Sequence, residues 1–254
     1  MHKNQAKEKI LSGGTAYGAM CNLYSPTIVE LIGHVGFDFA LIDAEHGPAG
    51  VESCEHMVRA AESVGLPILI RVAMNIRQNI LRYLDIGALG VQLPMINTRT
   101  EAEAVVEAVK YPPQGRRGLA SVRAANYGLT MPLEKYALKA NQETLVAIQV
   151  ETLQAVSNLD ELLSVEGIDV FFIGPNDLST SMGYVGQVNH PEVQAMIEKL
   201  VSRIRAAGRI AGTTAYTHEA LVKAKKRGFQ YIVHGVAPML AKSAREYLEL
   251  AQRS

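Results

Sequence analysis

The sequence has no surplus of charge of either sign: 25 lysines and arginines meet 25 aspartates and glutamates. A nucleic-acid binder usually carries a basic excess, so a neutral chain with a pI near 7.1 argues against that class. Cysteine is scarce. Cys21 and Cys54 are too few for a disulfide framework or a cysteine-rich zinc site. No run of about 18 apolar residues occurs, so no membrane span is expected. The first eight residues, MHKNQAKE, are polar and lack the apolar core of a signal peptide. Together these absences predict a soluble protein of a reducing cytoplasm, with neither nucleic acid nor membrane as a partner.

What is present is an ordinary globular composition, 48% hydrophobic over 254 residues. Eight apolar, strand-like runs can be read at 17–23, 37–43, 67–73, 91–96, 145–150, 170–174, 210–214 and 231–235. Amphipathic stretches follow them at 26–35, 51–64, 77–86, 99–110, 153–164, 191–207, 218–227 and 238–252. Such alternation signals a parallel sheet covered by helices. Eight units in this length predict an α/β fold of the (β/α)₈ barrel type, with residues 1–254 forming one domain; such barrels typically take roughly 250 residues. A doubly wound open sheet is the alternative. Against it, the first β–α turn, Asn22-Leu23-Tyr24-Ser25-Pro26, lacks the glycine-rich dinucleotide fingerprint. Residues 111–132 break the rhythm. A loop that long is usually functional or disordered, and a helix over 133–140 is expected after it.

Barrel enzymes carry their chemistry at the C-terminal ends of the strands. Four of those ends hold residues foreign to an apolar strand. The second run closes Asp43-Ala44-Glu45-His46, with Asp43 on the face of Leu41 by the period of two. It reads either as a turn cap and a surface histidine, or as a carboxylate that orients an imidazole base. The third run holds Arg71 among aliphatic residues. This is costly unless the arginine is ion-paired or binds an anion. In the fifth run Gln149 and Glu151 share a face that a barrel turns inward. In the sixth, Asp177 follows the turn Gly174-Pro175-Asn176. Glu151 and Asp177 could each be a helix N-terminal acid. Together, on adjacent strand ends, they suit a hard cation that keeps its waters. No lysine lies inside a strand run, which argues against a Schiff-base mechanism.

Four strings then carry a resemblance: Leu-Ile-Asp-Ala-Glu-His-Gly-Pro (41–48), Tyr-Pro-Pro-Gln-Gly-Arg-Arg-Gly (111–118), Gln-Val-Glu-Thr (149–152) and Phe-Ile-Gly-Pro-Asn-Asp-Leu-Ser-Thr-Ser-Met-Gly-Tyr (172–184). The chain resembles the HpcH/HpaI aldolase family from about residue 18 to 248. The resemblance implies a (β/α)₈ barrel and a class II aldolase that cleaves a 4-hydroxy-2-oxo acid to pyruvate and an aldehyde through a metal-stabilised pyruvate enolate. It implies Glu151 and Asp177 as ligands of a divalent metal ion (Mg²⁺, Mn²⁺ or Co²⁺), His46 as base with Asp43 as its partner, and Arg71 at the keto oxygen. Gln149 would line the metal site, and the backbone N–H groups of Asn176 and Asp177 would hold the pyruvate carboxylate. It also implies a homo-oligomer, a hexamer built as a trimer of dimers with the terminal helix exchanged. An acyl-CoA lyase of the same superfamily is the alternative activity, and a barrel that binds 2-oxo acids without turnover is a third reading.

Two departures touch the aldehyde side. The chain has no tryptophan, and Met20 stands where several relatives carry one. The seventh run ends in Thr213-Thr214, where aliphatic residues are expected. Arg117 and Arg123 in the long loop are expected either to contact an acidic aldehyde or to be solvated.

Overall fold

A computed structural model describes residues 2–253; Met1 and Ser254, the ends of the span expected to form the barrel, lie outside them. Eight parallel strands close a barrel in sequence order: β1 (Ala16–Cys21), β2 (Phe39–Asp43), β3 (Ile68–Arg71), β4 (Gly90–Leu93), β5 (Leu145–Val150), β6 (Val170–Ile173), β7 (Ile210–Thr214) and β8 (Tyr231–Gly235), with β8 pairing back onto β1. The expected runs hold, and β5, β7 and β8 match to the residue. The open sheet is excluded by the β1–β8 ladder.

Alternation along each strand sorts side chains into two cores. Phe39, Leu41, Leu69, Leu145, Ala147, Val170, Phe172, Tyr231 and Val233 fill the barrel interior. The opposite parity, including Ala40, Ile42, Ile70, Ile148, Phe171 and Ile232, packs under the helices. The N-terminal polar stretch hides a helix, α1 (Gln5–Leu11), that lays Ala6 and Ile10 on the interior cluster and plugs the floor.

The shell helices are α2 (Pro26–Val35), α3 (Val51–Ser63), α4 (Arg77–Asp85), α5 (Arg99–Val109), α6 (Leu133–Glu143), α7 (Leu153–Ser157), α8 (Leu159–Leu163), α9 (Pro175–Ser181), α10 (Pro191–Ala206), α11 (His218–Arg227) and α12 (Val236–Arg253). Several start on side-chain caps at the mouth. Ser25, Thr152 and Thr217 accept from backbone N–H groups of the first turn, and Thr98 forms a capping box with Glu101. Gly36 and Gly228 end α2 and α11 at φ 98° and 89°, a left-handed geometry that needs glycine. The helix expected over 153–164 is two short ones, broken at Asn158, whose side chain donates to Asn97 O at 2.8 Å. The long loop is neither disordered nor at the mouth. Tyr111, Ala124 and Ala125 in it pack with Tyr136 and Ala140 of α6 as a small core of their own. No described helix is long and apolar enough to cross a membrane.

Candidate active site

Strand register decides which polar residues meet. Asp43 and Arg71 are Cα partners across β2 and β3, and both point inward. The guanidinium grips the carboxylate with two bonds, Nε to Oδ1 at 2.9 Å and Nη2 to Oδ2 at 2.6 Å. The same carboxylate accepts the backbone N–H groups of Glu45 and His46, both at 3.1 Å. Burial alone would raise the Asp43 carboxyl, but Arg71 and these amides outweigh it and hold it below the usual range. Asp43 thus serves Arg71 and the following turn, and its oxygens are not spent on the His46 ring as expected. The acid beside that imidazole is Glu45, whose Oε2 lies 3.9 Å from His46 Nε2.

Glu45 is a residue that sequence reasoning passed over. Its Oε2 also lies 3.3 Å from Arg71 Nε, but that N–H already donates to Asp43. The buried oxygen therefore accepts no hydrogen bond among the described residues. Such an atom is free to accept from a water, an ion or a catalytic partner.

Glu151, at the end of β5, is buried and held on both oxygens. Met95 N–H donates to Oε1 at 2.8 Å, and Gln149 Nε2 donates to Oε2 at 2.6 Å. Met95 sits at φ 56°, a strained conformation for a non-glycine residue, and so turns its amide toward the carboxylate. Gly174 leaves room for that group, since a Cβ there would meet Oε2 at 2.6 Å. Burial pushes the Glu151 carboxyl up to about 7, and the charges of Asp177 and Glu45 push the same way. Asp177 stands exposed in the first turn of α9, after Gly174 and Pro175. Asp43, Glu45 and Glu151 thus gather around one guanidinium, and the charge of Asp177 bears on Glu45 and Glu151. The structure brings the expected residues to one mouth and adds Glu45 and Met95. The strained methionine left no trace in the sequence; the glutamate stood in a string already singled out.

The chain-wide model of one family, described as HpcH/HpaI aldolase/citrate lyase, matches residues 17–244. The chain belongs to the HpcH/HpaI aldolase/citrate lyase family. It is therefore an enzyme of the carbon–carbon lyase class. The chain is 38% identical over 243 residues to a 2-keto-3-deoxy-L-rhamnonate aldolase of Escherichia coli, covering 95% of this chain and 90% of that one. It is 39% identical over 239 residues to a protein of the same name from Klebsiella pneumoniae, covering 93% and 88%. A crystal structure of a family member from Burkholderia cenocepacia superposes with a TM-score of 0.93 at 28% identity, covering 98% of this chain and 99% of that one.

Other expected residues fall elsewhere. Met20 packs against the interior cluster near the mouth. Thr213 points out of the barrel: it pairs with Ile173, a residue of the shell core, and donates to that residue's carbonyl at 3.2 Å. Arg117 and Arg123 are neither solvated nor at the mouth. Arg117 pairs with Asp85 at 2.8 Å and stacks over Tyr111; Arg123 pairs with Glu62 and donates to Ile86 O.

Proposed function

We propose that this chain is a class II aldolase that reversibly cleaves a 4-hydroxy-2-oxo acid to pyruvate and an aldehyde. The observation that carries the reading is the carboxylate-rich mouth around Arg71, where the buried Glu45 Oε2 accepts no hydrogen bond among the described residues. A divalent cation fits this donor set: hard oxygens, partial burial and excess negative charge. Among the described residues no three such side chains converge as a closed cage. Glu151 and Asp177 would hold the ion, with water and substrate oxygens completing its shell. When bound, it supplies Lewis acidity at the oxygens of the oxo acid.

The chain's own groups supply the rest. Nε and Nη2 of Arg71 are committed to Asp43, which fixes the guanidinium plane and turns the remaining Nη1 to the oxo oxygen, where enolate charge develops. His46 is exposed at the mouth and is the group to take the methyl proton. Glu45 faces its Nε2 and stabilises the imidazolium that results. The first helical bond of α9 runs from Leu178 N–H to Gly174 O. The amides of Asn176 and Asp177 lie ahead of it and serve the carboxylate. Gln149 supports Glu151 from below.

The terminal helix supports a homo-oligomer. From Leu240 to Gln252 every residue of α12 is exposed, among them Leu240, Tyr247 and Leu248 at 61%, 71% and 55%. An amphipathic helix left against water suits exchange with a neighbouring copy in a hexamer. Sedimentation of the full chain and of a chain ending at residue 238 tests this; a monomer for both overturns it.

The decisive experiment is a coupled pyruvate-release assay over a panel of 4-hydroxy-2-oxo acids and one acyl-CoA ester. Chelator should abolish release, and Mn²⁺ or Mg²⁺ should restore it. Full activity without metal overturns the class II reading, and turnover of the acyl-CoA ester alone moves the assignment to the lyase alternative.

A further inference from the structure

The barrel interior is packed largely with aliphatic and aromatic side chains, and besides the Asp43–Arg71 pair it holds a line of polar groups. Tyr231 of β8, Gln92 of β4 and Gln149 of β5 are each 2% exposed or less. The Tyr231 hydroxyl donates to Gln92 Oε1 at 3.3 Å, and Gln92 Nε2 donates to Gln149 Oε1 at 2.6 Å. Gln149 Nε2 then donates to Glu151 Oε2 at 2.6 Å. The line crosses the lumen, since β8 and β4 stand opposite each other in the closed order. Burying two amides and a phenol in such a core is costly unless every group is paired. Leucine and phenylalanine would fill the same layer at no such risk.

The line has a direction, set from its charged end. In the ionised form that holds a cation the Glu151 carboxylate only accepts, as both its oxygens do here, so Gln149 must present its NH₂ to Glu151 and its carbonyl to Gln92. Gln92 must then present its own NH₂ to that carbonyl and its oxygen to Tyr231. A tyrosine hydroxyl can finish the line as a donor, and a phenylalanine cannot. Reversing either amide would set two oxygens face to face at 2.6 Å. Tyr231 is itself fixed, stacked on Phe39 at 4.6 Å and edge-on to Phe172 at 6.0 Å.

We propose that Tyr231 and Gln92 are positioning residues that act through Gln149 to hold the Glu151 carboxylate in one orientation for a divalent cation. The inference rests on the cation reading given above. Groups behind a metal ligand orient it, and their loss typically weakens metal affinity about 10–100-fold.

The test is the Kd for Mn²⁺ of the full chain without substrate, by calorimetry, so that no turnover enters the readout. Gln92→Leu should weaken Mn²⁺ binding by about 10–100-fold. Tyr231→Phe, which keeps the ring contacts, should weaken it by about 2–10-fold. Introduced into Gln92→Leu, Tyr231→Phe should change Kd no further, because its hydroxyl works only through the lost amide; losses from packing alone would add. Wild-type Kd in either folded single variant, or additive losses, overturns the relay while leaving the aldolase reading intact. If Gln92→Leu does not fold, Tyr231→Phe decides by itself. A wild-type chain that binds no Mn²⁺, alike with Glu151→Gln, overturns the cation reading and the relay together.

Discussion

At the floor of the barrel, Lys7 and Lys110 converge on one carbonyl oxygen, that of Thr144, at 2.9 and 2.8 Å. At the mouth, Asp43, Glu45 and Glu151 gather near one guanidinium. Both ends bury charge, with opposite sign and different completeness. On the floor Lys7 also meets Asp169 at 3.0 Å, and Lys110 also donates to Asn141 O at 2.8 Å. These contacts tie α1 to the α5 and α6 ends and leave both ammonium groups served by the chain itself. At the mouth a carboxylate oxygen is left open and Asp177 faces water. The difference is one of completeness: the floor satisfies its charges within the chain, and the mouth leaves acceptor oxygens open.

Four measurements sharpen or break this contrast. The largest effect is expected from Arg71→Met. It strands the buried Asp43 carboxylate and should cost about 3–5 kcal/mol in urea unfolding, along with the loss of pyruvate release. An unchanged unfolding midpoint would show that the mouth pair is not held in a buried, ionised state. His46→Ala should lower turnover about 10²–10⁴-fold with little change in stability, because the side chain is exposed. Normal turnover removes His46 from the base role.

The third measurement uses pH, where the two ends should respond in opposite senses. Glu151 is pushed up to about 7, against about 4.3 in an unfolded chain. Between these values the folded protein holds a proton that the unfolded one lacks, so stability falls as pH rises through that window. Burial, with the charge of Lys7 nearby, pulls Lys110 down to about 7, against about 10.4 unfolded. There the unfolded chain holds the extra proton, so stability rises with pH above 7. Each limb is worth at most about 1.4 kcal/mol per pH unit. With chelator present, Glu151→Gln should flatten the acid limb and Lys110→Met the alkaline one. A single variant that flattens both would break the assignment of one limb to each end. The smallest effect is expected from Arg123→Ala. It should cost about 1 kcal/mol through the lost Glu62 pair and Ile86 carbonyl bond and leave pyruvate release unchanged. A change in KM would return the long loop to the site.

Much of this was legible in the residues. The period of two placed Asp43 on the face of Leu41, which the structure turns inward, and Gln149 with Glu151 on the inner face, where the two are hydrogen-bonded. Periodicity along one strand says nothing of the neighbouring strand's register. The pairing of Asp43 with Arg71, in place of the His46 ring, therefore lay beyond it. Gln92 passed unnoticed for the same reason. A lone glutamine in an apolar run has no meaning until β4 is seen facing β8 and touching β5. Arg117 and Arg123 misled because a long glycine-rich loop looks mobile, whereas two tyrosines and several alanines give it a core.

The sequence by itself determined the strand–helix alternation, the caps that start several helices, the glycines that end α2 and α11, and the parity that turns polar residues inward. These depend on local backbone chemistry and on spacing along one chain. Only the tertiary structure decided which inward groups meet. Closing eight strands brings residues as far apart as 92 and 231 within hydrogen-bonding distance, and desolvation there gives each pairing its energetic weight.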